Sequence, residues 1–201
     1  TAYLVFRGSQ TGADFGLDAQ IAIVANPLGD GEVAEGFAKY FEGCGSNDTP
    51  ANEEGSRPGQ GNVKQHPVPG KTLYESLKNI SHNHGGVVKH LIVTGHSLGG
   101  AVSQIIGMWL HLRGHNVQIF SYGSPKVSNQ VLSGGQPTHW RVVRLSDPVT
   151  FSPTYPYVHT GVFVNSQTLD LGPDNDNVLI SKTDGLDHSN SKYVTTLKEQ
   201  L

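Results

Sequence analysis

A serine between two glycines is the clearest candidate for chemistry in this 201-residue sequence. The apolar run Leu91–Val93 leads into residues 95–99, Gly-His-Ser-Leu-Gly, and the apolar segment 101–112 follows. A strand, a sharp turn and a helix in this order would project the Ser97 hydroxyl above a sheet, and a Cβ at either glycine would collide with the neighbouring elements. The helix start would add unpaired N–H groups where a tetrahedral oxyanion needs stabilisation. The pattern therefore predicts a nucleophilic serine.

A serine hydroxyl is a weak nucleophile, so it needs a general base and a carboxylate that orients the base. On α/β-hydrolase folds, which carry serine turns of this kind, the acid and then the histidine follow the serine along the chain. Asp147 comes directly after a predicted strand, whereas the later acids lie in polar sequence typical of solvated turns. Asp147 is therefore the predicted acid.

The base must come from the histidines after Asp147, which are His159 and His188. His188 precedes the last predicted helix, in a loop from which an imidazole can reach over the sheet edge, so it is the predicted base. His159 opens a predicted strand, which favours a supporting role, and it remains the alternative base. His96 lies beside Ser97 but is expected to point away from it and to pack or to support a hydrogen bond.

The elements that must position these residues alternate between strands and helices. Strands are predicted at 1–7, 87–93, 117–122, 141–145 and 158–164, and helices at 36–41, 71–84, 101–112 and 189–201. This alternation predicts an α/β fold with a mostly parallel sheet flanked by helices, in one domain spanning 1–201. Residues 43–70 have almost no large apolar side chain, which indicates a long surface loop.

Composition and charge exclude several functions. A formal net charge of −3 provides no basic surface for nucleic acid. No apolar stretch approaches the ~20 residues that cross a bilayer. The single cysteine, Cys44, cannot form an intrachain disulfide, and the apolar N-terminal run lacks the basic region of a signal peptide, so the compartment stays open. His82 and His84 have no further ligand at metal spacing, so no metal site is expected.

Motifs in a fixed order along nearly the whole chain resemble the class 3 lipases, the fungal-type triacylglycerol lipases, which include feruloyl esterases. The matching segments are Val5–Ser9, Val93–Gly100, Phe120–Asn129, Arg141–Val149, Tyr157–His159, and Asp187-His188 with Tyr193. The resemblance implies an α/β-hydrolase fold with Ser97, Asp147 and His188 as its triad. It also implies an oxyanion hole formed by the Leu98 N–H and by the N–H and hydroxyl of Ser9.

The resemblance also bears on the ends and loops of the chain. In the family a lid, a short amphipathic helix, follows the oxyanion serine, so residues 9–25 are the candidate lid and oxyanion segment, with an ordinary core helix as the alternative. Relative to the family the chain is short at its N-terminus, because the earlier helices and strands are missing. Secretion is the expectation that the family suggests.

The expected function is therefore serine-dependent hydrolysis of carboxylic esters through an acyl-enzyme, with triacylglycerols at a lipid–water interface as substrate and no cofactor. Two alternatives stay open within enzymes: an esterase, such as a feruloyl esterase, acting on soluble substrates, and a phospholipase. A third alternative is a lipase-like interaction protein in which the triad is idle.

Overall fold

A six-stranded sheet forms the centre of the computed structural model of this chain. The structure describes residues 1–8, 23–25, 28, 32–38, 73, 75, 77, 88–130, 137–153, 156–165, 171–172 and 188–199. The strands are β1 (Ala2–Phe6), β2 (Ile23–Ala25), β3 (Glu32–Ala34), β4 (Leu91–His96), β5 (Val117–Tyr122), β6 (Thr138–Val143), β7 (Val162–Asn165) and β8 (Leu171–Gly172). The helices are α1 (Leu98–Leu112) and α2 (Asn190–Lys198), with a 3-10 helix at Pro148–Phe151. Residues 35–38, 73, 75 and 77 are also helical.

The sheet has the strand order β1-β4-β5-β6-β7-β8. Its first five strands are parallel to their neighbours, and β8 is antiparallel to β7. β2 and β3 form a separate antiparallel pair. The predicted α/β fold with a mostly parallel sheet is therefore confirmed. Because the carboxyl ends of parallel strands meet at one edge, the loops after β4, β5 and β6 lie near one another.

Burial explains the continuous apolar runs at the centre of the fold. In β4, Leu91 and Val93 are almost fully buried, and every residue of α1 from Leu98 to Leu110 is buried. The helix packs closely on β5 at Gly107, where a Cβ would lie 2.6 Å from the side chain of Ile119. The helix that carries the serine turn is thus held firmly against the sheet.

α1 is terminated by Gly114. Gly114 has a φ of +83° and donates its N–H to the His111 carbonyl at 2.8 Å, while the His115 N–H bonds to the Leu110 carbonyl at 3.1 Å. These two bonds satisfy carbonyls that the end of a helix otherwise leaves unpaired, and the left-handed backbone at Gly114 makes them possible.

The starts of three strands differ from the predictions by three residues or more. β4 spans Leu91–His96 rather than 87–93. β6 begins at Thr138 rather than at 141, because His139 is accepted inside the sheet, where its Nε2 lies 2.8 Å from the Ser121 hydroxyl. β7 begins at Val162 rather than at 158. Gly161, with a φ of +89°, breaks the extended backbone just before β7, and Val158 makes only an isolated bridge with Ser128.

The candidate lid is corrected at its C-terminal end. Residues 23–25 form β2, paired with β3, and not the end of an amphipathic helix, because the ladder to β3 satisfies their backbone groups. Residues 9–22, the loop at 43–70 and Cys44 lie outside the described residues. In the described part of the chain, no helix has the length and apolar content that crossing a membrane requires.

Candidate active site

Ser97 occupies a strained turn between β4 and α1. Its φ of 60° and ψ of −129° lie outside the regions that L-residues ordinarily adopt, and among the described residues it is the only non-glycine with a positive φ. Such a conformation costs roughly 1–3 kcal/mol and persists only when the surroundings impose it. Here the Ser97 N–H bonds to the Tyr122 carbonyl at 2.9 Å, and its carbonyl accepts the N–H of Gly100 at 2.9 Å.

The two flanking glycines have the steric role that the sequence predicts. A Cβ on Gly95 would lie 2.2 Å from the Gly99 carbonyl oxygen, and a Cβ on Gly99 would lie 2.2 Å from the Phe6 carbonyl oxygen. Both distances are far inside van der Waals contact. The sharp turn therefore requires glycine at both positions.

Three side chains from distant parts of the chain meet above this turn. The Ser97 Oγ lies 2.7 Å from His188 Nε2, and His188 Nδ1 lies 2.9 Å from Asp147 Oδ2 and 3.0 Å from Oδ1. The Asp147 side chain is fully buried, whereas that of His188 is 16% exposed. The structure thus brings together the three residues that the sequence predicts as nucleophile, base and acid.

Asp147 is held by hydrogen bonds to both of its carboxylate oxygens. Oδ1 accepts the N–H of Val149 at 2.9 Å, which caps the 3-10 helix that follows, and Oδ2 accepts the Tyr193 hydroxyl at 2.6 Å. Together with His188, these donors fix the carboxylate plane and stabilise its negative charge. The sequence includes Tyr193 only as part of a terminal motif and does not indicate this contact.

The start of α2 places His188 and Tyr193 together. Ser189 caps the helix by accepting the Lys192 N–H at 3.3 Å, so His188 lies just before the helix and Tyr193 lies in its first turns. The Tyr193 hydroxyl also accepts the Arg144 N–H at 3.1 Å. Burial, followed by the charge of Asp147 and the hydrogen bond to it, raises the pKa of Tyr193 well above its usual range, so the phenol stays a donor.

His96 packs directly on the candidate base. Its ring centroid lies 4.8 Å from that of His188 with an interplanar angle of 29°, and its edge faces the Tyr193 ring at 5.3 Å. The sequence predicts packing for His96 but does not indicate this partner. Burial, and then the proximity of His188, lowers the pKa of His96 from 6.5 to about 4, although the charge of Asp147 and a backbone hydrogen bond to His188 oppose the change.

The alternative base, His159, lies behind the acid. Its Nε2–H donates to the Thr150 carbonyl at 2.6 Å, in the 3-10 helix that directly follows Asp147. Burial, then the charge of Arg141, lowers its pKa from 6.5 to about 3, and the bond to Thr150 opposes this. This placement fits the supporting role that the sequence predicts for it.

Three histidines, of which His139 is buried and His96 and His159 are partly buried, make the fold sensitive to acid. The pKa values of His96, His139 and His159 are lowered to about 4, 3 and 3, in each case mainly by burial. Above pH 6.5 these groups are neutral whether the chain is folded or not. As the pH falls below 6.5, the unfolded chain binds protons that the folded chain does not, so stability decreases by up to ~1.4 kcal/mol per pH unit for each histidine.

The check is the free energy of unfolding by denaturant at pH 8, 6 and 5. It should decrease between pH 6 and pH 5, and His139→Gln should make the decrease smaller. His111→Gln, at a half-buried position of α1, serves as the control, and the decrease in its free energy of unfolding between pH 6 and pH 5 should equal that of the parent. A stability that does not vary between pH 8 and pH 5 would contradict the prediction.

Gly123 makes room for the acid and its tyrosine. A Cβ there would lie 2.8 Å from Asp147 Oδ2 and 2.9 Å from the Tyr193 hydroxyl, and its φ is +54°. We expect Gly123→Ala to push the carboxylate out of line with His188 and to lower kcat by about 100-fold, the effect of displacing a reacting group by ~1 Å. Ester hydrolysis by the purified variant measures this.

Gly114→Ala is the matched control for Gly123→Ala. Gly114 also has a positive φ, of +83°, but a Cβ there would have open space around it. This variant should therefore share the backbone strain, lose some stability and keep its kcat. Equal kcat values for the two variants would mean that the contact at Gly123 does not position the acid.

The predicted oxyanion residues are only partly described. Leu98 begins α1 and is buried, so its N–H lies at the helix start directly beside Ser97. Ser9 lies outside the described residues, but Gly8 touches the turn: a Cβ on Gly8 would lie 2.5 Å from the His96 carbonyl oxygen and 3.1 Å from Ser97 Cβ. In the described ranges, no group of three or more His, Cys, Asp or Glu side chains could hold a metal ion.

A strained serine turn after a central parallel strand, with an acid after β6 and a histidine before the last helix, defines an α/β-hydrolase. The chain belongs to the lipase (class 3) family, whose family model matches residues 3–157. A 75-residue stretch is 39% identical to a secreted mono- and diacylglycerol lipase of Fusarium solani, and it covers 34% of this chain and 22% of that protein.

Solved lipase structures share the fold. A lipase from Rhizopus microsporus var. chinensis superposes with a TM-score of 0.67 at 20% identity, covering 92% of this chain and 63% of that one. A triacylglycerol lipase described as having a serine protease triad at its catalytic centre superposes with a TM-score of 0.64 at 25% identity, covering 92% of this chain and 69% of that one. The chain thus spans less than two thirds of the Rhizopus lipase, and the match to the Fusarium protein covers about a fifth of it.

Proposed function

We propose that this chain hydrolyses carboxylic esters of lipids, with triacylglycerols as the substrate class, through Ser97, His188 and Asp147. One observation carries the proposal: His188 Nε2 lies 2.7 Å from the Ser97 Oγ, and His188 Nδ1 lies 2.9 Å from the fully buried carboxylate of Asp147. A serine hydroxyl without this arrangement would be too weak a nucleophile to attack an ester.

The reaction follows from these contacts. Ser97 Oγ attacks the ester carbonyl carbon while His188 Nε2 takes the hydroxyl proton, and Asp147 stabilises the imidazolium that forms. His188 then returns the proton to the leaving alcohol, and an acyl-enzyme remains on Ser97. Water, activated by the same histidine, attacks the acyl group and releases the acid.

The Leu98 N–H and the backbone N–H and hydroxyl of Ser9 are the proposed oxyanion donors. The support for Leu98 is its place at the start of α1, where N–H groups and the positive end of the helix dipole face the turn. The support for Ser9 is that Gly8, its neighbour in the chain, contacts the Ser97 turn. Donors of this kind act on the charge that develops in the transition state.

Family membership and the relatives support lipid as the substrate. The Fusarium relative is a mono- and diacylglycerol lipase, and the solved relative with the serine triad is a triacylglycerol lipase. By the same extension, the lipid–water interface is the proposed place of action, and residues within 9–22 are the proposed covering segment. We also propose that this chain is secreted, since the Fusarium relative is named as secreted.

The test compares a short-chain and a long-chain ester, each below and above its solubility limit, with Ser97→Ala as the control. Long-chain hydrolysis that rises sharply once droplets form supports a lipase with a covering segment. Short-chain hydrolysis without that rise would replace the lipase with an esterase. No Ser97-dependent hydrolysis, together with no labelling of Ser97 by a fluorophosphonate probe, would overturn the proposed function altogether.

A further inference from the structure

His96 contacts the two aromatic side chains that bond to the acid. As the last residue of β4, it directly precedes Ser97, so its backbone is part of the strained turn. Its ring lies on the face of His188 at 4.8 Å and against the edge of Tyr193 at 5.3 Å. His188 and Tyr193 in turn both bond to Asp147.

The hydrogen bonds of the His188 nitrogens to Ser97 and Asp147 do not restrain the tilt of its ring plane. Ser97 and Asp147 bind its two nitrogens, which lie in the ring plane, and neither contact resists tilting of that plane about the line joining them. A ring stacked on the face resists this tilt. The position matters because Nε2 must stay aligned with the Ser97 hydroxyl throughout proton transfer.

The charge of His96 also suits this place. His188 becomes positive while Ser97 attacks, so a positive neighbour at stacking distance would oppose the reaction. The groups that face His96 are His188, Tyr193 and the carboxylate of Asp147, and burial dominates over the attraction of that carboxylate, which keeps the ring neutral. His96 Nε2 is buried and has no hydrogen-bond partner among the described residues, which agrees with a neutral ring whose face, and not its Nε2, makes the contact.

We propose that His96 is a positioning residue, whose neutral ring face holds the His188 imidazole in line between Ser97 and Asp147. This inference rests on the proposed function of the same three residues. Stacking on His188 would explain why an aromatic residue directly precedes Ser97.

The test uses three variants of the whole chain. His96→Phe keeps a flat neutral ring, His96→Leu fills similar volume without one, and His96→Ala removes it. We expect kcat to stay within about threefold of the parent in His96→Phe. In His96→Leu and His96→Ala kcat should decrease by roughly tenfold to a hundredfold, with KM little changed, because the proposed role of the ring is to position His188 and not to bind the substrate.

The rate of covalent labelling of Ser97 by a fluorophosphonate probe is measured in parallel, because it reports activation of the serine for any substrate. Labelling should follow the same order, with Phe close to the parent and Leu and Ala slow. If the parent protein is labelled but hydrolyses no lipid ester, the proposed lipid hydrolysis is wrong. The labelling rates of the three variants then decide the inference about His96 by themselves.

Two outcomes would overturn the inference. One is a folded His96→Leu or His96→Ala variant with the kcat and labelling rate of the parent, and the other is a His96→Phe variant impaired as much as His96→Leu. Circular dichroism and thermal unfolding establish folding, and if His96→Ala does not fold, the comparison of Phe with Leu decides.

Discussion

Replacing Ser97 with alanine is expected to abolish ester hydrolysis, by on the order of a million-fold in kcat, while leaving the fold intact. The hydroxyl oxygen is the atom that attacks the ester, and among the described residues its side-chain partner is His188. Its removal therefore takes away the nucleophile and breaks no structural hydrogen bond within the described residues. The turn itself depends on backbone bonds to Tyr122 and Gly100, which alanine keeps.

Hydrolysis is measured with a short-chain ester, and folding by thermal unfolding of the same preparation. Ser103→Ala is the matched control, because Ser103 is a buried serine of α1 whose hydroxyl bonds only to the Gly100 carbonyl among the described groups. That variant should keep its activity. Substantial turnover by folded Ser97→Ala would remove Ser97 as the nucleophile.

Replacing Asp147 with asparagine is expected to lower kcat at neutral pH by about 10,000-fold. The carboxylate accepts from His188, Val149 and Tyr193 and stabilises positive charge on His188. An asparagine side chain has similar shape but no charge, and it would present an N–H to one of these donors. His188 would then favour the tautomer with its proton on Nε2, which cannot take the proton of Ser97.

Tyr193→Phe separates the charge of Asp147 from its hydrogen bonds. It removes the 2.6 Å bond to Oδ2 and leaves the carboxylate and its other donors in place. Since a hydrogen bond to a charged group is worth about 1.5–3 kcal/mol, kcat should decrease by roughly 10- to 100-fold, much less than in Asp147→Asn. If Tyr193→Phe and Asp147→Asn lost the same activity, the negative charge of Asp147 would not be the property that supports His188 in catalysis.

Much of the fold could be predicted because its signals are local. The apolar runs of β4 and α1 are continuous because both are buried, and Gly95 and Gly99 are steric requirements of a turn only five residues long. Gly114 ends α1 through hydrogen bonds within one turn of the helix. The observed strand boundaries differ from the predicted ones where distant groups decide them, as at β6, where Ser121 stabilises His139 inside the sheet.

The class of fold, the serine turn and the chain order of its candidate partners can be predicted from the amino-acid sequence, because they depend on hydrophobic pattern and on local sterics. Which of the two candidate histidines reaches Ser97 depends instead on how distant segments pack. His188 lies 91 residues away from Ser97. It reaches the turn at the start of α2, whose Tyr193 hydroxyl bonds to Arg144 and Asp147 after β6, while His159 is held at Thr150. The contact of His96 with His188 was equally hidden, because a ring-on-ring contact depends on how separate segments pack and leaves no periodic pattern in the chain.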